Sequence, residues 1–366
     1  MTKLVSTLLK ALNIFVAILY LLACLIPFLP AGEYWMIAVL GLIFPLLFIV
    51  MVIFLLVWAM AKSRWIVLPL VSLLLGWKQV SVVFGFSTKD FTIEKRTDTL
   101  RVLTWNLSSW GETSKPGWIP NSDELMINLI NEQQPDILCL QEFYDRRAIT
   151  QGYSIIRIFK TMGYEYSYFV RSVYGDVKYK TGVAILSKYP IMDTAKFEYG
   201  EKVWAEHLIY ADILFNEKKI RVFTTHLQSV RFEKEEYAAL NRIKHSDESG
   251  IKDSRTIMSK LKKAYQYRGA QADILHQKIK ESPYPVVVCG DFNDVPNSYT
   301  YFKVKDDLQD AFLEKGSRIG RTFRFISPTL RIDYILADKK LKVDQFNRII
   351  APYSDHYAAV ADLNFQ

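Results

Sequence analysis

The chain has 366 residues, half of them hydrophobic and 23% charged, with a net charge of +8, and that length exceeds what one soluble domain alone accounts for. Residues 1–88 hold five basic and one acidic side chain, so half of the charge excess lies there and the remainder lacks the basic stripe of a dedicated nucleic-acid binder. Cys24, Cys139 and Cys289 lie in apolar runs and give no disulfide framework, and no CxxC or His/Cys cluster suggests zinc.

Residues 11–30 form an uncharged run long enough to span a bilayer. A second uncharged run covers residues 34–61, and its closeness argues against the first being a cleaved signal peptide. A third run, Trp65 to Trp77, spans 13 residues. Extended to Phe86 it reaches 22, with Lys78 able to snorkel. The expectation is a membrane region over residues 1–88 with two or three helices (about 11–30, 34–61 and 65–86), the third alternatively lying at the interface. Pro45 falls inside the second, where neighbouring helices can satisfy the freed carbonyl. Lys3 and Lys10 precede the first span, only Glu33 lies between the two, and Lys62 and Arg64 follow. The positive-inside rule then predicts a multi-pass protein of the cell membrane. With three spans, everything after residue 88 lies outside the cytoplasm.

Residues 89–97 are polar and read as a linker, and residues 98–366 as one catalytic domain. LRVLTWN is the first strand. Asn121 and Glu124 resemble a capping box that opens a helix through about Asn131. DILCLQE, residues 166–170, 182–187, 209–215 and 220–227 follow as strands, with Asn216–Lys219 closing a hairpin. Residues 251–280 have helical apolar spacing, while PVVVCGDF reads as a buried strand. IDYIL and YAAVADL close the sheets. Mixed strands, helices and hairpins fit two sheets better than a parallel βαβ fold. The segment from Ser229 to Gly269 is dense in both charges and reads as a solvated face, or as a wall over the site.

Acidic, amide and histidine residues recur where these strands stop. TWN ends at Asn106, LQE at Glu142 and TTH at His226; GDFND holds Asp291 and Asn293, RIDYI carries Asp333, and YSDH holds Asp355 and His356. A strand that stops at such a residue delivers it to a sheet edge, where ligands bind in α/β folds. Several hard oxygen donors there suit Mg²⁺ and a phosphate ester. In an extended segment Asp291 and Asn293 share a face. Three other histidines, His207, His245 and His276, match no block.

In this order, the blocks resemble the endonuclease/exonuclease/phosphatase family, the deoxyribonuclease-I-like metal phosphoesterases, over roughly residues 98–366. The resemblance implies a four-layer α/β/β/α sandwich of two mixed β-sheets and hydrolysis dependent on Mg²⁺ or Mn²⁺. It makes Glu142, Asn106 and Asp355 the metal set, with Asn106 fixing the metal or its ligand. Asp291 aligns or deprotonates the attacking water, and Asn293 hydrogen-bonds a phosphoryl oxygen. His226 and His356 contact the phosphate, and Asp333 pairs with His356. Lys180 and Arg321 lie near regions that shape substrate contact in the family.

The resulting expectation is a membrane-anchored, divalent-metal-dependent hydrolase of a phosphodiester, nucleic acid or phospholipid head group. The bilayer is its other partner, and no feature calls for an obligate protein partner. The alternatives are a phosphomonoesterase acting on a sugar or inositol phosphate, and a non-catalytic receptor or scaffold on the same fold.

Overall fold

The computed structural model describes residues 3–87, 90–111, 119–145, 154–174, 177–200, 207–232, 236 and 250–365. They form two compact units: residues 1–84, 230–270 and 295–303, and residues 85–229, 271–294 and 304–366. Two stretches of the expected catalytic region therefore cluster with the N-terminal helices.

The first unit is built on apolar helices. α1 (Lys3–Cys24) is followed by a 3-10 turn, the short α2 (Trp35–Ala38) and α3 (Leu40–Met60). Two helices, over residues 3–28 and 40–60, are long and apolar enough to cross a membrane. The third expected segment is interrupted: α4 (Val67–Leu75) and α5 (Trp77–Ser81) meet at Gly76. A Cβ on Gly76 would lie 2.2 Å from the Tyr20 hydroxyl, so glycine permits the close approach to α1. Tyr20 in turn stacks on Phe44 of α3, 5.4 Å between centroids. Gln79 donates from Nε2 to the Cys24 carbonyl (2.8 Å), satisfying one of the carbonyls that a helix end leaves open. Later segments complete the unit. Ile257, Leu261 and Tyr265 of the long helix Gly250–Lys280 pack with Ala31 and Ala38. Asn297 Nδ2 donates to the Ala23 carbonyl (3.0 Å).

In the second unit the strands, in chain order, are β1 (Gly85–Phe86), β2 (Leu100–Asn106), β3 (Ile137–Phe143), β4 (Tyr166–Tyr174), β5 (Val177–Ser187), β6 (Ile191–Phe197), β7 (Leu208–Phe215), β8 (Lys218–His226), β9 (Val286–Asp291), β10 (Gln309–Asp310), β11 (Ser317–Arg318), β12 (Asp333–Ala337), β13 (Leu341–Ile349) and β14 (Ala358–Phe365). One six-stranded sheet runs β13-β14-β2-β3-β5-β4, the other β10-β12-β9-β8-β7-β6, and β1 pairs with β11 in a two-stranded sheet. Both large sheets are mixed, because β2–β3 and β8–β9 are parallel and the other pairs antiparallel.

The sheets pack face to face. Val102, Cys139 and Ala361 of the first join Val222, Cys289 and Ile335 of the second in one buried core. The alternate residues of β2 and β3, such as Leu103, Trp105 and Leu138, bury against α6 (Ser122–Gln133) and α7 (Ile155–Thr161). Burial on both faces explains the unbroken apolar runs. Each such side chain contributes about 1.5–3 kcal/mol. Over the second sheet, the long helix buries Ala272, Leu275 and Ile279, and its Lys278 sits 4.7 Å from the Phe197 ring. These are the four expected layers.

The expected capping box does not form. Asn121 has a left-handed backbone (φ 55°) and no side-chain cap, so its oxygen cannot reach the helix N–H groups. The hairpin turn forms through Asn216 and Glu217, both with positive φ (48° and 61°), as a two-residue turn between twisted strands requires.

Candidate active site

The residues singled out at strand ends converge on one rim of the inter-sheet core. Side chains alternate along a strand. Val102, Val222, Cys289 and Ile335 all point between the sheets. Continuing each strand at period two brings Asn106, His226, Asp291 and Asp333 to the same face at the same end. Register aligns them: His226 lies beside Asp291, and Asp333 beside Asp291 on the other side.

Glu142 reaches the rim by another route. The β3–β5 register shifts between Leu140 and Phe143, and Glu142 has φ 49°. This is a β-bulge, which re-aims a side chain at the cost of local strain. Phe143 therefore packs with the outer cluster, although alternation from Cys139 would turn it inward.

Asp291 Oδ2 is the focus. Asn106 Nδ2 donates to it at 3.0 Å, and Asn293 Nδ2 lies at 3.3 Å. His226 Nε2 is 3.4 Å away and His356 Nε2 3.7 Å. Asn106 Nδ2 also faces Glu142 Oε1 at 3.4 Å, while its Oδ1 accepts from the Ser108 N–H. The strand ends at Asp291, so Asn293 does not share its face by alternation. Asn293 has φ 52° and meets Asp291 through a tight turn, its N–H donating to Asp291 Oδ1 (2.8 Å). Its amide is also held by the Leu227 carbonyl (2.9 Å).

His356 comes from the loop before β14. Trp105 Nε1 donates to its carbonyl (2.9 Å), and its N–H donates to Ser354 Oγ. Ser354 Oγ donates to the Asn106 carbonyl (2.7 Å), which pins this loop to β2. Arg324 holds the same loop through the Pro352 and Ser354 carbonyls. Asp355 is buried next to this pin, with Oδ1 3.4 Å from Ser354 Oγ.

His356 Nδ1 lies 2.9 Å from Asp333, and since a carboxylate only accepts, that nitrogen carries the proton. Burial alone would lower the pKa of His356. The carboxylates of Asp333 and Asp291, the bond to Asp333 and the charge of Asp355 outweigh it and raise it to about 10. The imidazolium is the resting form at neutral pH. Burial pushes Asp291 up to about 6, held back by His356 and His226 and lifted further by Asp333.

Ligand atoms of Asp291, Asp333 and His356 lie within 4.8 Å of one another. That trio is already closed by the His356–Asp333 bond. The wider rim holds four carboxylates, Glu142, Asp291, Asp333 and Asp355, and two imidazoles, His226 and His356. A hard divalent cation fits that donor set.

Of the other histidines, His207 is buried with Nε2 3.7 Å from Glu198, and His245 lies outside the described residues. Lys180 sits 5.8 Å from the Tyr144 ring, and Arg321 Nη2 donates to the Tyr357 hydroxyl (3.1 Å). Ser354 and Arg324, which build the His356 loop, were not apparent from the sequence. Only the SDH spacing hinted at Ser354.

A sequence model of the Endonuclease/Exonuclease/phosphatase family matches residues 103–356. Residues 6–83 match a domain of unknown function. No curated protein matches. Among solved structures, the human Nocturnin catalytic domain with bound sulfate is 19% identical, with a TM-score of 0.51, covering 75% of this chain and 97% of that one. A humanized D. rerio TDP2 is 17% identical (TM-score 0.49, 73% and 100% covered). An endonuclease/exonuclease/phosphatase family protein from Leptotrichia buccalis is 18% identical (TM-score 0.49, 73% and 100% covered).

Proposed function

This chain belongs to the endonuclease/exonuclease/phosphatase family and is a metal-dependent hydrolase of phosphate esters, and on that premise we propose that it is a Mg²⁺-dependent phosphodiesterase anchored in the cell membrane. The observation that carries the reading is the convergence on Asp291 Oδ2 of Asn106, Asn293, His226 and His356. Asp291 takes the proton of the attacking water. Asn106 and Asn293 fix its carboxylate, and Oδ1, which accepts only the Asn293 N–H among the described residues, keeps a second lone pair for that water. The His356 imidazolium, held by Asp333, donates to a phosphoryl oxygen as charge builds there, and His226 donates beside it. Glu142 and Asp355 hold the cation, with Asn106 orienting Glu142. Mg²⁺ or Mn²⁺ there would neutralise phosphoryl charge and polarise the ester.

Purified protein should hydrolyse a generic bis-phosphate ester with Mg²⁺ or Mn²⁺ and lose that activity on exhaustive chelation, regaining it when either ion returns. Glu142→Gln should raise the metal concentration needed for half activity while leaving the melting temperature nearly unchanged. A panel of plasmid DNA, RNA, sphingomyelin and phosphatidylinositol phosphates then sorts the substrate class. Hydrolysis confined to phosphomonoesters would replace the diesterase reading.

The membrane reading rests on the first unit. Lys10 lies 5.5 Å from the Trp65 ring and Trp65 6.4 Å from Trp58, near the end carrying Lys62 and Arg64. Gln79 reaches Cys24 at the other end of α1. Lys10 and Cys24 are 14 helical steps apart, about 21 Å at 1.5 Å each. The broken segment α4–α5 therefore runs most of a bilayer's depth and acts as a third crossing. Ile257, Leu261, Tyr265 and Asn297 pack near the Cys24–Ala38 end, the end opposite the basic loop. With the basic loop cytoplasmic, the catalytic region is extracytoplasmic. Alkaline phosphatase fused after residue 97 should be active, and a fluorescent protein at that point dark. The reverse pair would reject three crossings.

A further inference from the structure

Three arginines, Arg318, Arg321 and Arg348, gather close to the catalytic rim without an acidic partner among the described residues. Arg321 and Arg348 place their guanidinium carbons 5.6 and 5.7 Å from the Tyr357 ring. Arg321 also donates to the Tyr357 hydroxyl (3.1 Å), and Arg348 donates to the Arg321 carbonyl. Arg348 is half-buried. Burial pulls its guanidinium below the usual range; Arg321 and Arg318 add to the shift, and Tyr357 opposes it. Among the described residues no carboxylate pairs with Arg318, Arg321 or Arg348. Like charges drawn together in a partly desolvated place are unfavourable until an anion joins them.

Register places this group beside the reaction centre. Ala359, Ala361 and Leu363 of β14 face the inter-sheet core, and Phe346 of β13 packs against it. At period two, Tyr357 and Arg348 take the same face. β14 pairs with β2 as Ala359↔Thr104, so continuing that antiparallel register sets Tyr357 opposite Asn106. Arg348 pairs with Ala359 on the next strand out. Across the sheet the order is Glu142, Asn106, Tyr357, then Arg348, which lies on the next strand two residues inward of that row. Strands lie about 4.8 Å apart and residues rise about 3.4 Å, so Arg348, two strands out and level with Thr104, stands about 12 Å from Asn106 at the backbone, a gap its long side chain partly spans.

We propose that Arg348 and Arg321, stacked on Tyr357, form a subsite for a second phosphate group on the substrate, next to the phosphate that is cleaved. The substrate is then a molecule with two phosphates a few bonds apart rather than an isolated diester. The guanidinium forks suit a phosphate better than a lysine would, because each can give two parallel hydrogen bonds. Arg318, which is exposed, adds charge at the outer side.

The proposal rests on the rim being a phosphate-ester site, so the test measures binding rather than turnover. Full-length protein in neutral detergent would be titrated calorimetrically with thymidine 3′,5′-bisphosphate and with thymidine 5′-monophosphate. Wild-type protein should bind the bisphosphate roughly tenfold more tightly or better, the equivalent of one charge-assisted contact. Arg348→Gln and Arg321→Gln should each bring the two affinities to within about twofold. Arg348→Lys, which keeps the charge and the fold but not the fork, should retain an intermediate preference. Equal affinities in wild type, or a preference unchanged in both Gln variants, would overturn the subsite. A preserved preference in a protein that hydrolyses no diester would reject the catalytic reading and leave the subsite standing.

Discussion

Asp291→Asn should lower turnover on any diester substrate by roughly 10²–10⁴-fold, the usual worth of a positioned general base. The change is nearly isosteric. Oδ1 still accepts from the Asn293 N–H, so the turn that shapes GDFND survives. What disappears is the negative charge at Oδ2, where Asn106, Asn293 and both histidines converge. Water then finds no acceptor for its proton. The histidines also lose part of the field that keeps His356 protonated. His356→Ala should cost a similar factor for a different reason: the donor to the phosphoryl oxygen is gone. It also leaves Asp333 buried without its partner, so a lower melting temperature should accompany it. Single-turnover rates at saturating Mg²⁺, with thermal melts on the same preparations, separate the two effects. His276→Ala, on the long helix and outside the rim, should stay within about twofold of wild type. A rate for Asp291→Asn within tenfold of wild type would remove Asp291 from the role of base.

Much of the rim is legible in the chain because the strands that build it are buried on both faces. β2 and β9 are buried at every position; β9 reads as an unbroken apolar run up to Gly290 and Asp291, and β2 as a largely apolar one, interrupted by Arg101 and Thr104, that stops at Asn106. The abrupt stop is the physical edge of the core. The longer strands that the sequence does not announce, β6 and β13, lie at sheet edges and are half-exposed along most of their length. Their polar and apolar residues carry no clean period. That is why Arg348, within β13, gave no signal. Two site residues also depend on backbone states that residue type does not announce. Glu142 sits in a bulge, and Asn293 in a left-handed turn. Neither glutamate nor asparagine marks such a position as glycine does. The loop that carries His356 is set by Ser354, Arg324 and Trp105, contacts between segments about 30 to 250 residues apart in sequence. The third membrane segment was legible as apolar. Its break at Gly76 lies against the Tyr20 hydroxyl of α1, a contact between distant segments.

Gly290→Ala tests the other half of the site, the strand pairing that holds it. Gly290 precedes Asp291 and lies beside Thr225 in the parallel β8–β9 pair. Its φ is +145°, and a Cβ there would fall 2.1 Å from the Thr225 carbonyl oxygen. That oxygen belongs to the backbone and cannot swing aside as a side chain could. Relief requires the two strands to part by about 1 Å, at the pair adjacent to His226 and Asp291. A displacement of that size in a catalytic constellation can cost about 10²-fold in rate. The same added methyl should destabilise the fold, since both the positive φ and the clash are unfavourable. Gly163→Ala separates the two causes. Gly163 also has a positive φ (+92°), but a Cβ there would meet nothing within 4 Å. It should cost about 1 kcal/mol of stability through backbone strain and leave kcat/KM unchanged. Gly290→Ala should therefore fall in kcat by about two orders of magnitude, beyond any loss that Gly163→Ala shows at equal stability. If Gly290→Ala instead keeps kcat/KM within threefold of wild type, the β8–β9 edge is not what sets Asp291 against His226.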